Sequence, residues 1–110
     1  MLDVRLYLLQ RLSALVMAPL VLGHIALMIY AVQGGLSASE ILSRTQGSLW
    51  WALFYGTFVL AVSIHAAIGL RVIVFETANL RGRALVMFTW IVFAGLLYYG
   101  MKAVYAVTVA

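Results

Sequence analysis

Residues 50–75, WWALFYGTFVLAVSIHAAIGLRVIVF, decide the fold of this chain. About 20 apolar residues suffice to carry a helix across a hydrocarbon core roughly 30 Å thick. A strand of a membrane barrel would instead alternate apolar and polar residues over segments of about ten. The run is helical by that test, yet it holds His65 and Arg71. Ionisable groups at membrane depth are expensive and are rarely left without a partner. For His65 the partner could be another polar side chain, a proton path or a metal.

Two more runs of this kind flank the first, so the spans fall at about residues 12–33, 48–75 and 84–106. Of the 110 residues, 66% are hydrophobic and 9% charged, with a mean hydropathy of +1.12. A soluble domain of this length has too much surface to hide so much apolar side chain. The expected fold is an all-α integral membrane protein. It has three transmembrane helices, antiparallel and up-down-up, forming a single membrane-anchor domain over residues 1–110. In the first connection, 34–47, a glycine pair stops the helix, and Ser37 or Ser39 can cap a short turn with Glu40 behind it. The second, 76–83, is short and polar, which makes spans two and three antiparallel neighbours.

The net charge of +4 comes from seven cations and three anions. Nucleic-acid binding needs a dense basic stripe, and none is present. The cations sit at the ends of the apolar runs. Arg5, Arg11, Arg71, Arg81 and Arg83 fall on one side and Arg44 and Lys102 on the other. The positive-inside rule then puts the N-terminus in the cytoplasm or matrix and the C-terminus outside. Trp50, Trp51, Tyr98, Tyr99 and Tyr105 suit an outer interfacial belt. No small-residue cleavage site follows the N-terminal cations, so the first span is expected to be retained. With no cysteine, thiolate metal sites and cysteine nucleophiles are excluded.

Gly69, one turn beyond His65, leaves a notch where a flat ligand or another helix could approach. Glu76 lies about 20° from His65 around an ideal helix, and Arg71 is roughly 9 Å nearer the cytoplasmic interface. An imidazole, a notch and a cation closer to water suit a b-type haem, as axial nitrogen, space for the porphyrin edge and propionate counter-ion. A serine or backbone carbonyl of a neighbouring helix could hold the same imidazole instead. In span one, His24 is on the order of 20 Å from Arg11, with Gly23 beside it and Pro19 bending the helix between them. The two histidines therefore fall at different depths, which favours separate haems, or a packed polar role for His24, over one haem bridged by both. Gln10, Arg11 and Ser13 read either as a helix start with an anchoring arginine or as a site for a polar ligand head. Gly56, Gly95 and Gly100 read as helix-packing positions.

Two motifs, Gln10-Arg11-Leu12-Ser13-Ala14 and His65-x-x-x-Gly69-Leu70-Arg71-x-x-x-x-Glu76, resemble the cytochrome b membrane anchor of succinate dehydrogenase and fumarate reductase. The likeness extends over most of the chain in order, spacing and topology. It implies that His65, and His24 in the manner of two-haem relatives, are axial ligands of haem iron. It also implies that Arg71 and Arg11 lie near the propionates, and that Ser13, Arg11 and Tyr7 border a quinone. One or two haems b would be shared with a second membrane anchor subunit. An iron–sulfur subunit and a flavoprotein subunit would complete the complex, with ubiquinone or menaquinone as substrate. The setting implied is a bacterial cytoplasmic membrane ahead of the mitochondrial inner membrane. The chain departs from the family pattern at Gln10 (usually histidine), Ala14 (glycine), Val72 (histidine), Glu76 (aspartate) and Tyr7 (serine in some members).

On this reading the chain is an electron-transfer subunit of a succinate:quinone oxidoreductase. It does not itself oxidise succinate, since no flavin or iron–sulfur motif is present. Two other functions compete. A haem-free membrane anchor of the same kind of complex would use the helices alone. A small multidrug transporter would need four spans and a carboxylate within the first, and the acids here are only Asp3, Glu40 and Glu76.

Overall fold

The computed structural model describes residues 3–109. Four helices make up the chain: α1 (Val4–Gly34), α2 (Ala38–Thr45), α3 (Leu49–Thr77) and α4 (Gly82–Thr108). The first, third and fourth have the length and composition to cross a membrane, and the protein is an all-α, multi-pass membrane protein. The helix α1 begins two turns ahead of the apolar span because the Asp3 carboxylate caps it, accepting from the Leu6 amide at 2.9 Å. Gln10 and Arg11 consequently lie well inside a helix rather than at its start. The helix continues through Pro19 and stops at Gly35, whose φ of +117° suits glycine alone.

Of the two serines able to cap α2, Ser37 does so. Its hydroxyl oxygen accepts from the Glu40 amide, and its proton goes to the Glu40 carboxylate at 2.6 Å. Three further bonds fold α2 back onto the bundle. Arg44 donates to the Gly35 carbonyl, Thr45 to that of Val107, and the Gly47 amide to that of Thr108. Residues 78–81 turn the chain between α3 and α4. Asn79 takes a left-handed φ of +56° there, and its side-chain oxygen accepts from Arg81 Nε.

Helix α3 is central: it packs against α1 on one side and α4 on the other, while α1 and α4 barely meet. Both pairings are antiparallel. Ser13 and Gly23 of α1 lie against His65 and Phe54 of α3, and Val59 and Arg71 of α3 against Gly100 and Thr89 of α4. This pairing gathers Arg5, Arg11, Arg71, Arg81 and Arg83 at one end of the bundle and leaves Arg44 and Lys102 at the other. Fully buried apolar side chains among the described residues are few, namely Ala61, Ala67, Ile68 and Leu85, whereas Trp50 is 81% exposed. A soluble protein cannot leave so much apolar surface in water. Lipid and partner helices are the solvent of this surface. Trp51, in the first turn of α3, stacks on Tyr55 with centroids 5.8 Å apart.

The three glycines expected at packing positions behave differently. A Cβ at Gly100 would collide with Val59, while nothing lies within 4 Å of one added at Gly56 or Gly95. Gly100→Val should therefore lower stability in detergent by about 1–3 kcal/mol through overpacking, and Gly95→Ala should leave it unchanged. Unfolding curves of the two variants check this contrast. The cysteine-free chain also allows a direct test of topology. Cysteines at Ser39 and Asn79 should react with an impermeant thiol reagent from opposite faces of the membrane. Labelling of both from one face would rule the antiparallel arrangement out.

Candidate functional site

The α1–α3 seam places Ser13, which is 6% exposed, beside His65. The Ser13 hydroxyl donates to the Gln10 carbonyl at 3.0 Å, and its oxygen lies 3.3 Å from His65 Nδ1. In the tautomer with the proton on Nδ1, that nitrogen donates to the serine oxygen while the serine hydroxyl donates to the Gln10 carbonyl. Nε2 is then unprotonated, and it has no hydrogen-bond partner among the described residues. The two readings of His65 turn out to be compatible: a serine holds one ring nitrogen, and the other keeps a free lone pair. Metal-bound histidines have this same arrangement, because a second interaction fixes the tautomer and raises the basicity of the ligating nitrogen.

The notch at Gly69 is not open. The Gln10 side-chain amide from α1 fills it, with Nε2 3.6 Å from where a Cβ would sit. Gln10 Oε1 is buried without a hydrogen-bond partner. Spacing on α3 pointed to the notch, but its occupant comes from another helix.

His24 shares the seam at a different depth. Its ring lies 6.3 Å from Tyr55 and 5.3 Å from Phe58, so aromatic rings crowd it. Its Nδ1 is buried with no partner. The cavity beside it, about 140 Å³, is bordered by Arg44, Tyr55 and Trp51. His24 therefore lacks the support that His65 draws from Ser13.

The remaining candidates diverge. Tyr7 and Arg11 pair with one another on the far side of α1, with Arg11 Nη1 3.5 Å from the Tyr7 hydroxyl and the guanidinium 5.8 Å from the ring centroid. Arg11 and Ser13 are about 160° apart around an ideal helix, so Ser13 enters the seam while Tyr7 and Arg11 face outward. Arg71 leaves α3 about 120° from His65 and donates through Nη1 to Thr89 on α4 at 3.4 Å. Glu76 is exposed at the end of α3. Thr89, Tyr55 and Phe58 had no signal in the sequence, since only helix pairing brings them to these groups.

Among the described residues no three of His, Cys, Asp and Glu converge on one point. What the seam offers is a single imidazole nitrogen at each depth. One such nitrogen suits one axial position on a ring-bound iron, with the porphyrin supplying the other in-plane donors. No curated protein and no solved structure matches the chain. Residues 1–98 match the family described as succinate dehydrogenase/fumarate reductase transmembrane subunit. That match runs from α1 into α4, and the chain belongs to this family.

Proposed function

We propose that this chain is the haem-binding anchor of a succinate:quinone oxidoreductase and that it supplies one axial nitrogen, His65 Nε2, to one haem b. The observation that supports the reading is the Ser13–His65 contact, 3.3 Å from Oγ to Nδ1, with Nε2 left without a partner among the described residues. When bound, the haem supplies a one-electron relay between the iron–sulfur subunit and the quinone. His65 orients that relay, and Ser13 keeps the imidazole from rotating about its bonds or changing tautomer. A partner anchor donates the opposite ligand, because no second histidine of this chain lies at the same depth. His24 is a packed aromatic-seam residue on this reading rather than a ligand.

Reduction of a quinone to a quinol takes two electrons and two protons, and a quinone carbonyl needs hydrogen-bond donors. Tyr7 and Arg11 supply a phenol and a guanidinium on one exposed face of α1, where Tyr7 is 50% exposed. Ser13 is committed to His65, so the quinone contacts fall to Tyr7 and Arg11, completed by the partner subunits. Succinate oxidation, or fumarate reduction in the reverse direction, belongs to the flavoprotein subunit.

A reduced-minus-oxidised spectrum of the complex, with haem quantified per chain, tests the proposal. His65→Ala should abolish the b-type signal, and His24→Ala should leave it in place. A complex without a Soret band would leave the haem-free anchor standing, and loss of half the haem in His24→Ala would establish a second site. Ser13→Ala should retain haem but raise its midpoint potential, since a ligand without its Nδ1–H acceptor is a poorer donor to ferric iron. Ser13→Thr should restore the potential, as read by redox titration.

A further inference from the structure

Beside the α1–α3 seam that holds Ser13 and His65, the three long helices border a groove of about 320 Å³. Arg71 stands at one end, and Leu6, Leu9, Ile64, Ala67 and Phe93 line the rest. The guanidinium is poorly satisfied. Its Nε is buried with no partner, Nη1 has only the 3.4 Å bond to Thr89, and no carboxylate pairs with it among the described residues. Thr89 gives its own proton to the Leu85 carbonyl and meets the arginine only as a neutral acceptor, without countering its charge. A half-buried cation left this way is destabilising unless an anion completes it.

The depth of Arg71 identifies the anion. Helix α3 has 29 residues, about 43 Å of helix against a hydrocarbon core of about 30 Å. Centred in the bilayer, it extends roughly 7 Å beyond the core at each end, which puts Arg71 within about 2 Å of the hydrocarbon boundary. Phosphodiester groups of lipids lie at that level. From there Ala67 and Ile64 continue the groove about 10 Å toward the bilayer centre, without another charged group. It opens outward past Leu9, which is 44% exposed, so a chain can enter from the membrane rather than from water.

We propose that this groove binds one anionic phospholipid, with its phosphate on Arg71 and an acyl chain along Ala67, Ile64 and Phe93. Basic pockets between membrane helices at the cytoplasmic level recognise such headgroups, and a guanidinium pairs with phosphate oxygens through its terminal nitrogens. The phosphate would occupy the place that the family resemblance gives to a haem propionate. The two anions can be told apart because one is attached to an acyl chain and the other to a porphyrin.

The complex purified from membranes should be analysed for bound phospholipid by mass spectrometry and for haem by absorbance, side by side. The wild type should retain anionic phospholipid through extensive detergent washing. Arg71→Gln should lose most of it, and Arg71→Lys should keep an intermediate amount. Leu9→Trp, which fills the groove without touching the cation, should lose it as well. After delipidation, phosphatidylglycerol vesicles should raise the melting temperature of the wild type but not of Arg71→Gln. Phosphatidylcholine vesicles and inorganic phosphate should have no such effect. Equal retention in Arg71→Gln, equal rescue by phosphatidylcholine, or full rescue by inorganic phosphate alone would each overturn the proposal. So would a loss of haem in Arg71→Gln with lipid retained, because the guanidinium would then serve the propionate. The lipid measurement does not depend on haem, so a haem-free complex would refute the functional reading and leave this one to stand or fall separately.

Discussion

The hydrogen-bonded chain from His65 Nδ1 through Ser13 Oγ to the Gln10 carbonyl is the constraint on which the site depends. It contributes little to stability. Interhelical hydrogen bonds in membranes average about 0.6 kcal/mol and reach only about 1.7, too little to hold a helix pair by itself. Its consequence is orientation. Packing of α1 on α3, set by the small residues at Gly23, Ser13 and Gly69, brings the serine to the histidine. The serine then ties the Nδ1 side of the ring to α1.

The same packing explains why α3 occupies the centre. In lipid the hydrophobic effect does not press helices together, so close approach and polar contacts choose the neighbours. Helix α3 offers both kinds of contact on two faces. His65, Gly69 and Phe54 meet α1, while Val59 accepts Gly100 of α4 and Arg71 reaches Thr89. With α1 and α4 held on opposite flanks, the grooves over α3 stay unfilled by this chain. A subunit of a membrane complex that adjoins other polypeptides gains from such open faces.

The helices and their antiparallel order were legible from the sequence, because apolar run length and loop length are one-dimensional properties. The α2 cap was legible only as Ser37 or Ser39, and the bond from the Glu40 amide selects Ser37. His65 and Arg71 were conspicuous because they are ionisable residues inside a run that otherwise tolerates none. What could not be read was the register between helices. Spacing on α3 put Gly69, Arg71 and Glu76 near His65, yet Gln10 fills the notch and Arg71 turns to Thr89. The family resemblance grouped Ser13 with Tyr7 and Arg11, and the 100° turn per residue puts Ser13 on a different face of α1 from the other two. Asp3 hid the true start of α1, because a single capping carboxylate extends a helix beyond its apolar stretch.

His24 and His65 show how far residue identity alone falls short of function. Both are imidazoles in the same seam, each beside a glycine, and both lie within membrane-length helices. At His65 the neighbouring helix presents a hydroxyl within 3.3 Å of Nδ1, which ties that side of the ring to α1. At His24 it presents Tyr55 and Phe58, whose rings pack against the imidazole, and Nδ1 is left buried with no acceptor or donor. A ligand to iron needs a lone pair that points outward and a ring that cannot rotate to hide it. At His65 the serine restrains the ring, and at His24 two aromatic rings pack against it. The difference lies in what faces each histidine across the seam, a serine in one case and two aromatic rings in the other.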